Sequence, residues 1–236
     1  YYLTWNSSTS NKRMLDAELD LDFNAYTPKN YFWNDFLYDG NDFYSGKKTP
    51  AGFSVPEYSD GEGIFLGILP NQKKGEYLFD IPNVHQLGPN ANLVVEMIGT
   101  GDHSHTIELF FNDSLIYNET FSDYKNEVVN IEIPKEWLND ASQIRAESTT
   151  VKEYVSDKVG IAIAYLYLRY PQEFDMNGES NIKIYLPAGN ESKDLLVIEN
   201  YNDLNSTVRL NDITNSKIIQ VQPDNGSYYA LVNNTG

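Results

Sequence analysis

The amino-acid sequence predicts an all-β protein: an antiparallel, jelly-roll-like β-sandwich followed by a smaller β subdomain. From residue 64 onward, apolar residues recur with a period of two in short runs that turn residues separate. Helical periodicity is almost absent, because only "PKEWLNDAS", opened by Pro134, fits a helical turn. Many short strands with little helix are typical of sandwiches and jelly rolls.

The predicted strands form two groups. "PQEFDMNGES" at residues 171–180 separates them, because Pro, Asn and Gly interrupt the alternation there. We therefore predict a sandwich over residues 1–171, with the Asn-, Asp-, Tyr- and Phe-rich segment of about residues 1–60 lying along it as an arm, and a small β subdomain over residues 172–236. The first group is "IFLGIL", "EYLFDI", "NLVVEMI", "HTIELFF", "EVVNIEI", "QIRAES" and "VGIAIAYLYLRY"; the second is "NIKIYL", "LLVIENY", "TVRLNDI", "KIIQVQ" and "YYALV".

One strand pair can be predicted in detail. In "HTIELFF" the alternation places His105, Ile107, Leu109 and Phe111 on one face. The turn sequence "NDS" at residues 112–114 then joins this strand to "LIYNETF" as a hairpin. The same rule predicts for "EVVNIEI" the inward set Val129, Ile131 and Ile133.

Charge and composition exclude several classes of function. A formal charge of −17 disfavours nucleic acid and anionic membranes, which need clustered Lys and Arg, and favours cations or a basic partner. With no cysteine, the chain has no thiol chemistry. The longest apolar stretch, "VGIAIAYLYLRYP", is too short for a membrane span and contains Arg169. The chain opens at "YYLTW" without an initiator Met, so we expect a piece of a longer or processed polypeptide.

Two histidines one residue apart, His103 and His105, raise the question of a metal site. His-x-His on a strand points both rings to one face, as in many zinc sites, and His85 is the remaining histidine that could be a third ligand. We favour a structural role at the entrance of a strand and predict no metal ligands. A Gly-x-Ser-x-Gly elbow and a phosphate-binding loop are both absent, so we predict no catalytic residues, although paired carboxylates remain open among 34 acidic residues.

Two further binding alternatives follow from the N-terminal segment. "LDAELDLDF" and "YDGNDFYSG" offer oxygen ligands suited to Ca²⁺, without matching a twelve-residue calcium loop, so a structural Ca²⁺ is left open and no other cofactor is predicted. The aromatic cluster at residues 31–38 could instead cover the sheet or form a platform that stacks on sugars. For a carbohydrate-binding module, the predicted ligand-binding residues are Tyr31, Trp33 and Tyr38.

Several segments, in order, resemble the region upstream of the catalytic domain in gingipain-like cysteine peptidases, and most closely the type IX secretion sortase group of Bacteroidetes. The most distinctive pieces are the Tyr170–Pro171 pair and the "DIT" triplet at residues 212–214. The resemblance spans most of the chain, through "YYLTW", "YDGNDFYSG", "HTIELFFNDSLI", "IPKEWLNDASQIRAES", "IAYLYLRYPQEF" and "TVRLNDITNSKIIQVQPDNGSYYALV".

The resemblance implies a non-catalytic region that supports or positions a downstream peptidase domain of the same polypeptide. The family's catalytic His and Cys have no counterpart here, and the strand resembling "HTIELFFND" implies no metal, with His105 at its edge and Asn112 in the turn. The expected location is secreted, periplasmic or cell surface, associated with the outer membrane. Other secretion proteins, cell-surface proteins or glycans are further expected partners.

Overall fold

The computed structural model describes residues 15–18, 20–49, 51–70, 72–148, 160–204 and 207–234. These residues form two compact units. Trp33–Gln172 make up the first, which we call the sandwich unit. The described parts of Tyr1–Phe32 and Glu173–Gly236 make up the second, which we call the terminal unit. Both consist of strands, so the predicted all-β fold class is confirmed.

The first twelve strands are β1 Leu15–Glu18, β2 Phe32–Tyr38, β3 Asp42–Tyr44, β4 Gly63–Phe65, β5 Gly67–Pro70, β6 Lys74–Phe79, β7 Ala91–Gly99, β8 Ser104–Phe111, β9 Ser114–Ser122, β10 Asn126–Ile133, β11 Ser142–Ser148 and β12 Gly160–Gln172. The remaining strands are β13 Lys193–Ile198, β14 Leu210–Asp212, β15 Lys217–Ile219, β16 Val221–Asp224 and β17 Ser227–Asn233. Two 3-10 turns occupy Phe23–Ala25 and Lys135–Trp137.

Two sheets build the sandwich unit. One has the order β10-β7-β12-β2, with β5 also paired to β12, and the other has the order β6-β11-β8-β9. From β6 to β12 the chain crosses between the sheets at every step except the β8–β9 hairpin. This crossing pattern is that of a jelly roll, as the sequence predicts.

The core between these sheets follows the period-two pattern. Ile107, Leu109 and Phe111 are fully buried, and so is His105 on the same face. On β10, Val129, Ile131 and Ile133 point inward while the intervening residues are exposed, so both predicted faces are confirmed. Alternation therefore identified which side chains the sandwich buries.

The β8–β9 hairpin forms where the sequence predicts it. Asn112 and Asp113 adopt left-handed φ values of 44° and 67°, which is the geometry of a type I′ turn. The Asn112 side chain also forms two hydrogen bonds to residues outside the hairpin. Its Nδ2 donates to Trp137 O at 2.6 Å and its Oδ1 accepts from Gln143 N at 2.8 Å. The predicted helical turn after Pro134 is the single 3-10 turn Lys135–Trp137.

A second layer covers part of the outer face of the first sheet. The β7–β12 pairing shifts between Ile163 and Tyr165, and a short hairpin of β3 and β4 packs nearby. Its inward residues Tyr44 and Phe65 form a small cluster with Ile98 and other residues of that sheet. The hairpin therefore has one buried face and one open face.

The terminal unit contains two three-stranded sheets, β13-β17-β16 and β1-β15-β14. The β1–β15 pair is parallel, whereas β14–β15 is antiparallel. Part of the predicted arm lies in this unit, since Phe32 packs on Phe174 with ring centroids 5.1 Å apart. The other part enters the sandwich unit as β2 and the β3–β4 hairpin.

One predicted strand does not form. Residues 181–186, "NIKIYL", contain no extended strand. Their side chains Ile182, Ile184 and Leu186 nevertheless pack against the core of the terminal unit. Alternation reports which side chains become buried, but pairing also needs a neighbouring backbone with free donors and acceptors.

Candidate interaction surface

The histidine pair lies at the entrance of β8. The rings of His103 and His105 stack with centroids 6.1 Å apart, and His103 Nδ1 lies 2.9 Å from a carboxylate oxygen of the exposed Asp102. Within the described residues, no group of three or more His, Asp and Glu side chains is arranged to hold a metal ion. The two rings pack against each other at the strand entrance, and the expectation of no metal ligand stays a prediction.

His105 is a buried core residue. Its Nε2 donates to Gly101 O at 3.2 Å, while its Nδ1 has no hydrogen-bond partner in the described part of the chain. Burial lowers the pKa of His105 below its ordinary value, and the nearby His103 acts in the same direction. The carbonyl groups of Gly101 and Asp123 oppose the shift without reversing it.

The structure separates the predicted sugar-binding residues. Trp33 and Tyr38 lie five residues apart on β2, so the period of two places them on opposite faces. Tyr38 faces the core and packs edge-on against Tyr77, at 5.4 Å between ring centroids. Tyr31 is half-buried and lies in the segment that belongs to the terminal unit. Trp33 and Tyr38 therefore do not share one surface.

The face that carries Trp33 is polar and aromatic. Next to Trp33 on this face, Asp35 accepts two hydrogen bonds from the guanidinium of Arg169, at 2.7 and 2.9 Å. On β12 the alternation adds Tyr165 and Tyr167 to the same face, and the Arg169 guanidinium lies 5.9 Å from the Tyr167 ring centroid. Partial burial and Glu96 raise the pKa of Tyr165 above its ordinary value.

Within the described residues, four exposed large apolar side chains lie on β3, on β4 or in the segment that connects them. Phe43 and Ile64 are directly paired across the two strands and are 64% and 63% exposed. The connecting segment adds Phe53 and Tyr58, which are 73% and 75% exposed. We call these four residues the hairpin patch. Exposed large apolar groups concentrated in this way mark an interaction surface, whereas single ones need no explanation.

A buried cluster on the inner face of β3 and β4 supports the hairpin patch and is the base of the patch. Within it, Tyr44 packs edge-on against Phe65 at 5.9 Å between centroids, and burial raises the pKa of Tyr44 to about 12. Gly61, with φ of +74°, leaves room for Ile98 because a Cβ there would collide with its side chain. The base therefore holds Phe43 and Ile64 outward.

Sequence reasoning missed this surface because it interpreted "YDGNDFYSG" through its carboxylates. The cross-strand pairing of Phe43 with Ile64 joins residues 21 positions apart, which alternation within one run does not reveal. Acidic residues lie near the patch in the sequence: Asp39, Asp42, Glu57 and Asp60 are exposed, and two lysines, Lys47 and Lys48, also lie in this segment.

Within the described residues, no helix is long and apolar enough to cross a membrane. The chain has no cysteine, so cysteine-based catalysis does not take place on it. The expectation of a structural Ca²⁺ remains a prediction.

Comparison with known proteins shows the fold. No protein-family model and no curated protein match the sequence. The crystal structure of dimeric latent PorU from Porphyromonas gingivalis is similar, with a TM-score of 0.56 and 13% identity over 87% of this chain. The chain spans only 19% of that PorU chain.

Two carbohydrate-binding modules resemble the chain more weakly. One is the CBM36-1 domain of a multidomain xylanase from the hindgut metagenome of Trinervitermes trinervoides, with a TM-score of 0.33 and 11% identity over 57% of this chain and 96% of its own. The other is a family 35 module from an environmental isolate, with a TM-score of 0.33 and 13% identity over 56% of this chain and 91% of its own. Scores this low carry no functional argument.

Proposed function

We propose that the chain is a non-catalytic β region of a larger secreted or cell-surface polypeptide, and that it positions a gingipain-like peptidase domain of the type IX secretion sortase group. The observation that carries the proposal is the hairpin patch, a firmly based apolar surface on a protein without thiol chemistry. The order of segments that resembles the sortase group and the fold likeness to a fifth of PorU support it.

The occupant of the hairpin patch is the peptidase domain of the same polypeptide. Paired aromatic and aliphatic side chains that are about two-thirds exposed, as Phe43 and Ile64 are, are suited to anchor an interface. A second copy of this chain is disfavoured because each copy carries a formal charge of −17 and the segment that carries the patch has more exposed acidic than basic residues. The complementary surface should therefore be apolar at its centre and basic at its rim.

The first experiment reads the natural gene downstream of the codon for Gly236 and produces the encoded domain as a separate polypeptide. We expect a domain with a His and Cys pair that binds the present chain in calorimetry. The double variant Phe43→Ser with Ile64→Ser should weaken this binding at least tenfold. Leu87→Ser is the matched control, because Leu87 is 88% exposed but lies outside the patch.

Three outcomes contradict the proposal. The gene could encode no such domain, or the patch variant could bind as tightly as the natural chain. The purified chain could also hydrolyse peptides in a manner sensitive to thiol blockers, once contaminating peptidases are excluded.

Carbohydrate binding is a second candidate, favoured by the shared face of Trp33, Tyr165 and Tyr167. Aromatic rings beside the Asp35–Arg169 pair offer stacking and hydrogen bonds to a sugar. Retardation in polysaccharide affinity gels should then disappear in Trp33→Ala or Tyr167→Ala. Tyr38→Phe should leave it unchanged, because Tyr38 faces the core. Absence of retardation on a broad panel would exclude this function for the chain.

A further inference from the structure

A lysine, an aspartate and an asparagine converge in the terminal unit. Asp194 lies on β13, and its side chain is only 2% exposed. Its Oδ1 lies 2.8 Å from Lys29 Nζ and accepts a hydrogen bond from Asn234 Nδ2 at 3.3 Å. One buried carboxylate oxygen therefore contacts both an amine and a carboxamide.

The backbone holds the amine and the carboxamide beside the same strand. Lys29 N donates to Leu195 O at 2.9 Å, from the segment that bridges β13 at Leu195. Asn234 directly follows β17, the antiparallel partner of β13, and its N donates to Ser192 O at 3.0 Å. An N-terminal segment and a C-terminal segment of the unit thus meet at Asp194.

Gly189 leaves the space in which the two side chains meet. A Cβ on residue 189 would stand within about 2.5 Å of Lys29 Nζ and also of Asn234 Nδ2. Because each nitrogen lies that close to one point, the two nitrogens are at most about 5 Å apart. The backbone of Gly189 lies outside the left-handed region, so the glycine is needed here for space and not for its backbone angles.

We propose that Lys29 and Asn234 form an intramolecular isopeptide bond, with Asp194 as the general acid and base. Asp194 first accepts a proton from the Lys29 ammonium, because only the neutral amine is a nucleophile. Lys29 Nζ then attacks Asn234 Cγ, and Asp194 donates its proton to the carbonyl oxygen.

The tetrahedral intermediate collapses when the bond from Cγ to the original amide nitrogen breaks. Asp194 takes the proton that Nζ loses and passes it to the leaving nitrogen. As the carbonyl group re-forms, the departing ammonia takes the proton of the hydroxyl group and leaves as ammonium, and Asp194 is again a carboxylate. One ammonium and one carboxamide thus become one secondary amide and one ammonium ion, so no oxidant or co-reactant is needed. Because the fold already holds the amine and the carboxamide beside the buried Asp194, the reaction avoids the entropy cost of a bimolecular reaction.

The test is the intact mass of the full purified chain under denaturing conditions. We expect a mass below that of the sequence by about 17 Da, the mass of the ammonia expelled by the amine. Tandem mass spectrometry should find a branched peptide that joins the Lys29 and Asn234 segments. Lys29→Met, Asn234→Ala and Asp194→Ala should each restore the full mass. Lys193→Met is the matched control and should keep the loss, since Lys193 pairs with Asp20 at 2.6 Å instead.

Each other result contradicts the proposal. A full mass in the natural chain means that no bond forms. A loss of about 18 Da, equal to water, means that the amine has joined a carboxyl group such as that of Asp194. A loss of about 17 Da that persists in Lys29→Met, and that mild base hydrolyses to aspartyl and isoaspartyl residues, indicates a cyclic imide, for which Asn177 and Asn225 are candidates because each precedes a glycine. The branched peptide decides the question even if a variant fails to fold.

Discussion

The sandwich unit and the terminal unit are stabilised in different ways. The sandwich buries one continuous cluster of twenty described side chains, nearly all aliphatic or aromatic. In the terminal unit the main described cluster has eight buried members, and two lysine–carboxylate pairs lie beside its strands, Lys29–Asp194 and Lys193–Asp20. A small unit buries too little apolar surface for the hydrophobic effect alone to stabilise it. Polar contacts and contributions from distant parts of the chain therefore make up a larger share of its stability.

The largest expected effect comes from dividing the chain. Residues 172–236, produced alone, should be unfolded or aggregate, because they lack Phe32 from the core and Lys29 from the buried ion pair. Residues 33–172 should fold. Proton NMR measures both outcomes, and a well-dispersed spectrum from residues 172–236 would show that the terminal unit needs no N-terminal contribution.

Within the sandwich unit, shortening a buried core side chain should lower the free energy of unfolding most. Leu109→Ala should lower the free energy of unfolding by about 3–4 kcal/mol, because Leu109 is fully buried and the sheet cannot collapse around the cavity. Leu115→Ala, 52% exposed on the paired strand, should change it by less than about 0.5 kcal/mol. Urea denaturation measures both, and equal effects would mean that the interior is loosely packed.

In the terminal unit, removal of a buried carboxylate should lower the free energy of unfolding by nearly as much as the core truncation does in the sandwich unit. In an Asn234→Ala background, in which the proposed Lys29–Asn234 bond cannot form, Asp194→Ala leaves the Lys29 ammonium without its acceptor and should lower the free energy of unfolding by about 2–3 kcal/mol. This value lies below that for a fully buried pair because Lys29 is 22% exposed. Asp20→Ala, at the more exposed pair with Lys193, should cost less. If the two variants are equally stable, burial of Asp194 contributes nothing.

The side-chain hydrogen bonds of Asn112, in the β8–β9 turn, also stabilise the sandwich unit. Asn112→Ala should cost about 1–2 kcal/mol, because it removes two side-chain hydrogen bonds and places a Cβ-bearing residue without them in the left-handed region. Asn112→Gly tolerates that conformation and removes only the hydrogen bonds, so it should cost less. A glycine variant as unstable as the alanine variant would assign the whole effect to the hydrogen bonds.

The smallest expected effect is a pH dependence from the buried His105. Its pKa in the folded protein lies below the ordinary 6.5, so the unfolded chain takes up a proton at a higher pH than the folded chain. The stabilising contribution is complete above pH 6.5 and is lost as the pH falls from there towards the lower pKa of the folded state. The free energy of unfolding should therefore be lower at pH 5 than at pH 7.5. This pH dependence should have the same slope in the natural chain and in His85→Gln. His105→Gln should reduce it, and an unchanged slope would show that other groups cause it.

The two units also differ in how far local sequence predicts them. In the sandwich unit, alternation identified the buried faces of β8 and β10, and the "NDS" turn identified the hairpin that joins β8 to β9. In the terminal unit, "NIKIYL" alternates equally well and forms no strand. Its side chains are buried, but backbone pairing depends on which strand lies alongside, and residues 181–186 do not contain that information.

The candidate surfaces show the same limit. The sequence indicated aromatic residues at positions 31–38, but the strand that forms there points Trp33 and Tyr38 to opposite faces. The hairpin patch depends on Phe43 lying opposite Ile64, and the cluster at Asp194 depends on residues 29, 189 and 234. None of these pairings has a local pattern in the sequence.

The sequence by itself determined the all-β class, the absence of thiol chemistry, the acidic charge and the buried faces of the long strands. These properties follow from composition and from a period of two, which each strand carries within itself. Only the tertiary structure decided that Phe23 and Lys29 belong with β13 and β17 and that an apolar hairpin face stays open. Such contacts join residues far apart in the chain, and their choice depends on the free energy of the whole packed unit.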